Sequence, residues 1–213
     1  MPNSKPVKVA LSWLQIVLLP MLYMWSAGIQ WSVGLVATLL FALSLAGARS
    51  GENLNWWLIA ATVFGVVAAS VQWWLLPVIL AQVVYGALIN SQKLSQPLEI
   101  TLWTISVFFA QMVVLYQLMH GTTWQLLLLL AVLLLPQIVS VWADRLPLWL
   151  GLLLLVVIAV VGYFSGQLTL IAAGALVVIN AATSTRVVKI NASLQALASV
   201  LIGVIFILSR LHG

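Results

Sequence analysis

The chain reads as long apolar runs separated by short polar punctuation. The runs cover residues 9–27, 30–48, 55–71, 73–91, 98–119, 123–142, 147–164, 167–184 and 189–209. Each is close to the roughly 20 residues that cross a hydrocarbon core about 30 Å thick. Backbone amides in lipid must be satisfied within their own segment, so each run predicts an α-helix. The alternation of apolar and polar positions expected of a membrane barrel is absent. Gly28, His120-Gly121, Ser165-Gly166 and the segments 48–55, 91–97, 143–147 and 183–186 supply the joints. The tightest joint is at Gln72, where 63–69 and 75–84 also read as one bent helix, although their summed length exceeds one crossing. The expected fold class is all-α, a polytopic transmembrane helix bundle of about nine spans. It is expected to form a single transmembrane domain over residues 1–213.

Composition strengthens this reading. Of 213 residues, 64% are hydrophobic and 5% are charged. A soluble domain carries about a quarter charged residues, and eight basic plus three acidic side chains cannot cover such a surface. The net charge of +5 is spread thinly over helix ends. It therefore reads as a topology signal rather than a nucleic-acid footprint, and no nucleic-acid partner is expected. The absence of cysteine excludes disulfides, thiolate catalysis and Cys-ligated metals. Lys5 and Lys8 before the first run resemble the start of a signal peptide. The run is long for one, and no convincing small-x-small cleavage site follows, so an uncleaved first span is expected.

Charge placement tests the span count separately. With the N-terminus in the cytoplasm, the inner joints hold Lys5, Lys8, Arg49, Lys93, Arg145, Arg186 and Lys189. The outer joints at Gly28, Gln72, His120 and Ser165 hold no Lys or Arg, and only Arg210 falls outside. That is a positive-inside pattern, and it predicts a multi-pass protein of a bacterial cell inner membrane. Trp25, Trp31, Trp73, Trp74 and Trp124 fall at the outer ends, and Trp56, Trp57, Trp103, Trp142 and Trp149 near the inner ends. Indoles favour the headgroup level, so these read as belt anchors rather than a ligand-stacking box.

A shift of 93 residues lays Leu22-Tyr23 on Leu115-Tyr116, Gly28 on Gly121, Trp31 on Trp124 and Trp56 on Trp149. A shift of 92 lays His120-Gly121 on His212-Gly213. The chain then reads as a 4+4+1 arrangement, with repeats over 8–97 and 98–188 and a ninth span over 189–210. Four crossings return to the starting side, so the repeats would be parallel. Coincidence in a Leu/Val/Ala-rich chain is the other reading, since most other tryptophans do not match.

Catalytic chemistry is not legible. His120 and His212 lie at expected outer ends, whereas Glu52, Glu99 and Asp144 lie at expected inner ends, so no His–acid pair forms. No metal-ligand spacing and no phosphate-binding Gly-rich loop occurs, so neither a metal nor a cofactor is expected. Glu99 follows Pro97 and reads as a helix-start acid at the positive end of the dipole. Asp144-Arg145 reads as a solvated loop pair. The expected span centres carry no charge, which argues against an ion-coupled pump. They carry amides instead: Gln82, Gln111 and Gln137, with Gln15 and Tyr85 nearer the inner side. Amides buried in lipid must find partners. Either Gln82 and Gln111 bond to each other as interhelical glue, or Gln82, Gln111, Gln137 and Tyr85 line a polar site for an uncharged head group. Small residues four apart, at Ala61, Gly65 and Ala69 and at Ser199 and Gly203, predict close helix contacts.

Leu19-Pro20 in the first run, Val63-Phe64-Gly65 in the third, Pro77 with Tyr85 in the fourth and Pro97-Leu98-Glu99 opening the fifth resemble the intracellular septation protein A family. These are small multipass bacterial membrane proteins linked to envelope integrity. Glu99 stands where that family shows Ile, and the basic residues that usually follow are missing. The resemblance covers about residues 19–99. It implies an inner-membrane location and an envelope-related role, with no catalytic residue to carry over. The expected function is a non-enzymatic membrane component of envelope biogenesis, handling a lipid-like substrate or serving as a subunit of a membrane complex. The alternative is a small carrier for an uncharged solute. Expected partners are the lipid bilayer and other membrane subunits or further copies of the chain.

Overall fold

The structure is a computed structural model that describes residues 5–25, 28–91, 94–121, 123–184, 187 and 192–211. Lys93, Arg186, Lys189 and His212, which entered the charge and repeat arguments, lie outside the described residues. The described residues form nine α-helices and no strand. They are α1 Lys5–Trp25, α2 Val33–Arg49, α3 Leu54–Ala69, α4 Leu76–Ser91, α5 Gln96–Met119, α6 Trp124–Val141, α7 Leu148–Phe164, α8 Leu170–Ala182 and α9 Ala192–Leu211. Each coincides with one apolar run. Gln72 leaves the helical region at φ −147° and ψ 86°, so α3 and α4 are two helices, and a 3-10 turn at Trp73–Leu75 leads into α4.

Among the described residues five helical segments are long and apolar enough to cross a membrane: Lys5–Trp25, Trp73–Ser91, Gln96–Met119, Trp124–Val141 and Ser193–Leu211. α2, α3, α7 and α8 are shorter, and α8 has 13 residues. At 1.5 Å per residue α8 is about 20 Å long. The chain is thus an all-helical protein whose several apolar helices are compatible with a multipass membrane protein.

Local chemistry places the helix ends. Ser32, Thr123 and Thr169 accept hydrogen bonds from the main-chain amides of Leu35, Leu126 and Ala172, capping α2, α6 and α8. Pro97 and Glu99 occupy the first turn of α5, as the Pro–acid spacing predicts. His120 ends α5 in the left-handed region at φ 54°.

The helices form two compact units. The first combines Met1–Ser95 with Ile105–Thr122, and the second Gln96–Thr104 with Thr123–Gly213. Lipid tails give apolar helices no solvent-driven reason to associate, so close packing rests on small residues. In the first unit Ala61, Gly65 and Ala69 are all buried on α3. A Cβ on Gly65 would overlap Ile79 of α4 and come within 3.3 Å of the Phe41 ring of α2. Likewise Gly47 of α2 receives the Trp57 indole of α3, leaving no room for a side chain. In the second unit Gly162 of α7 is held against Val132 of α6 and Leu168, each 2.7 Å from where its Cβ would be. Gly203 of α9 is also buried, and Ser199 is partly so.

Most tryptophans assigned to the belts are exposed, among them Trp25, Trp31, Trp56, Trp124 and Trp149. Trp57 and Trp142 are half-buried, and Trp103 departs furthest. It is 3% exposed, so it is a packed core residue rather than a surface anchor. Its place about two turns into α5 matched the interfacial spacing, but spacing along a helix does not tell which face is covered. Trp142 is also tied down, donating its indole N–H to Thr101 Oγ1 at 2.8 Å.

Candidate functional site

The residues singled out by polarity fall in both units. Gln82, Tyr85 and Gln111 belong to the first, on α4 and α5, and Gln137 to the second, on α6. Gln82 and Gln111 do not bond to each other, which corrects the paired-glutamine expectation. Gln82 Oε1 accepts from Ser106 Oγ of α5 at 2.5 Å. Gln111 Nε2 donates instead to the main-chain carbonyl of Gln15 in α1, at 2.7 Å. The reason is register. Ser106, the residue level with Gln82, precedes Gln111 by five positions, about 7.5 Å along the axis. Gln137 is buried beside Pro136 on α6 and has a partner of its own.

Gln82 and Tyr85 do come together. They stand three residues apart on α4, the spacing that puts two side chains on one helix face. With Pro77, Val78 and Ala81 of α4 and Ile105 and Phe109 of α5 they line a groove of about 480 Å³. Its walls are apolar apart from these two residues. Gln82 is 4% exposed, so its carboxamide sits at the bottom of the groove. The Ser106 hydroxyl occupies the Oε1 side of this amide. Among the described residues no acceptor takes the Nε2 protons of Gln82, and the Tyr85 hydroxyl makes no hydrogen bond. The groove therefore offers hydrogen-bond donors within one helical turn of each other in an otherwise apolar lining. No ionisable acid or base lines it.

Polarity along the sequence did not reveal Ser106 or Gln117. A Ser in a helix commonly satisfies itself on a carbonyl one turn back, and so is silent in a sequence. Gln117 sits close to the end of α5, where a polar residue is unremarkable. It is nevertheless buried, and its Nε2 donates to Ala68 O of α3 at 2.8 Å. The second unit has its own polar seam. Ser140 Oγ donates to the main-chain oxygens of Pro136 and Asn180 at 2.8 and 3.0 Å, and Asn180 Nδ2 to Leu176 O. A smaller cavity of about 210 Å³ adjoins Ser140, Gly151, Leu155 and Ser184. The Ser140 hydroxyl on its wall is already spent on the protein.

Among the described residues charged groups stay at helix ends. Lys5 pairs with Glu52 and Arg49 Nη1 donates to Ser12 Oγ at 3.3 Å, which gathers the start of α1 and the α2–α3 joint. Arg145 lies over the Trp142 ring at 4.8 Å. Among the described residues no three His, Asp or Glu side chains are grouped to hold a metal ion. Compared with models of protein families, with curated proteins and with solved structures, the chain has no match.

Proposed function

We propose that this chain is a non-enzymatic, multi-pass inner-membrane protein of envelope biogenesis that takes a lipid-like substrate into the α4–α5 groove. The observation that carries the reading is the groove itself, apolar along its walls with unsatisfied donors from Gln82 and Tyr85 one turn apart. An apolar ligand fills such walls, and a few placed polar groups orient it. In this reading all nine helices cross the bilayer, the N-terminus lies in the cytoplasm, and the family it belongs with is the septation protein A type. The gathering of Lys5, Arg49 and Glu52 at one end supports a common cytoplasmic side. A 93-residue shift carries α1–α4 onto α5–α8 with boundaries in register, which supports the 4+4+1 repeat. The exposed apolar face of α7, with Leu153, Val156 and Val160, suits lipid or a further subunit.

Retention of lipid tests the proposal. Protein extracted in polymer-bounded bilayer discs and passed into detergent keeps a stoichiometric lipid. Ala81→Trp, which fills the groove from an exposed position, loses it. Equal retention by both proteins removes the groove from the proposal.

The second reading, a small carrier for an uncharged solute, has one observation in its favour. Gln111 is 2% exposed, and its Oε1 has no hydrogen-bond partner among the described residues. A buried acceptor without a donor is costly, and a passing hydroxyl would satisfy it. Solute flux in liposomes that is lost in Gln111→Leu would favour the carrier.

A further inference from the structure

From the donors in the groove we infer the chemical class of its ligand. It is an uncharged lipid carrying a hydrogen-bond acceptor, an ester or amide carbonyl, at the end of an apolar chain. Gln82 Nε2 and Tyr85 Oη bind that carbonyl, and Ser106 is a positioning residue that sets the Gln82 amide. This rests on the proposed lipid-handling role of the groove and names what the groove selects.

Three observations converge. First, depth: the membrane-length segment is Trp73–Ser91, 19 residues, and Gln82 is its central residue. A phosphate or carboxylate drawn to the centre of an apolar segment needs a charged partner, and none lines the groove. The polar part recognised at this level is therefore neutral. Second, polarity: a carboxamide has one acceptor end and one donor end. Ser106 Oγ lies 2.5 Å from the Gln82 oxygen, so the acceptor end is consumed by the protein and the donor end is left for the ligand. Tyr85, one turn along the same face, adds a second O–H donor. A carbonyl with two lone pairs accepts from both, whereas a bare hydrocarbon leaves both unsatisfied in an apolar channel, where such groups are costly. Third, shape: Pro77, Val78 and Ala81 line the groove before Gln82, and Ile105 and Phe109 form the opposite wall. An apolar chain running from the carbonyl toward the Pro77 end is thereby covered, as in an acyl ester rather than a short solute.

The experiment uses full-length protein in bilayer discs and three photoactivatable C18 probes that share one diazirine position. They are a methyl ester, a hydrocarbon and a quaternary ammonium. Cross-links are mapped to peptides of α4 and α5. The expected result is labelling by the ester about tenfold above the hydrocarbon and the cation, the size expected when two hydrogen bonds are made or lost. Gln82→Met with Tyr85→Phe abolishes that preference but leaves hydrocarbon labelling intact. Ser106→Ala reduces the preference, and Ser106→Thr, which keeps the hydroxyl, restores it. Equal labelling by ester and hydrocarbon, or a preference that survives the Gln82/Tyr85 double substitution, overturns the inference. Ala81→Trp separates this from failure of the underlying role. If it blocks all three probes while no ester preference exists, the groove holds lipid without this selectivity. If it blocks none, the groove is not a lipid site at all. A cooperative thermal unfolding transition retained by each variant in detergent shows that folding is not the cause.

Discussion

Gln111 reaches from α5 to the main chain of α1 and donates to the Gln15 carbonyl at 2.7 Å, joining residues 96 positions apart. That carbonyl belongs to a helix whose own ladder is interrupted one turn later by Pro20. A carbonyl has two lone pairs, so it takes a side-chain donor without leaving its helix. This is how a glutamine in an apolar interior is accommodated without a second polar side chain. The same device recurs at Gln117, which donates to Ala68 O.

Because Gln82 and Gln111 have separate partners, their contributions are expected to add. Gln82→Leu and Gln111→Leu each cost on the order of 0.6 kcal/mol, the average for polar contacts between membrane helices. Their double-mutant coupling is expected near zero, as for sites without shared partners. Thermal or denaturant unfolding in detergent measures it, and a coupling above about 0.5 kcal/mol contradicts the arrangement.

Gly65→Leu is expected to destabilise the first unit strongly. The new side chain enters the space of Ile79 and Phe41, two core residues on two other helices. Overpacking of this kind costs about 1–3 kcal/mol or more. Gly51→Leu does not serve as a control, because Gly51 has φ +76°. Gly174→Leu is the comparison, since nothing lies within 4 Å of its Cβ position. Equal melting of the Gly65 variant and wild type would show that this face is not packed.

Gly34 and Gln117 are expected to be coupled where Gln82 and Gln111 are not. A Cβ on Gly34 would sit 2.8 Å from Gln117 Oε1, the same amide that holds Ala68 O. Gly→Ala inside a helix gains up to about 1 kcal/mol from propensity. In wild type the clash is expected to cancel or reverse that gain. In a Gln117→Ala background the obstacle is gone, and Gly34→Ala becomes stabilising. A Gly34→Ala effect identical in the two backgrounds refutes the contact.

The chain has no cysteine, so single cysteines report topology cleanly. Replacements at Arg49, Lys93 and Arg186 are expected to resist an impermeant thiol reagent in intact spheroplasts, while one at Gly121 reacts. Labelling of the Lys93 position from outside sinks the nine-crossing arrangement.

Helix number and helix ends were legible in the chain, because they follow from local physics. Lipid-length apolar runs, Pro97 with Glu99, and the break at Gln72 act through the backbone next to them, so residue order carries the information. The small-residue stripe of α3 was legible for a related reason: in lipid, close approach needs the absence of a side chain, and absence is visible in sequence. That Gln82 and Tyr85 share a face also follows from their spacing. Only the tertiary structure decided what they face. It paired Gln82 with Ser106 rather than Gln111, opened the groove against Ile105 and Phe109, and buried Trp103. These outcomes depend on the rotation and axial shift of one helix against another. A shift of a single turn, about 5.4 Å, exchanges every partner while leaving each helix's own pattern unchanged.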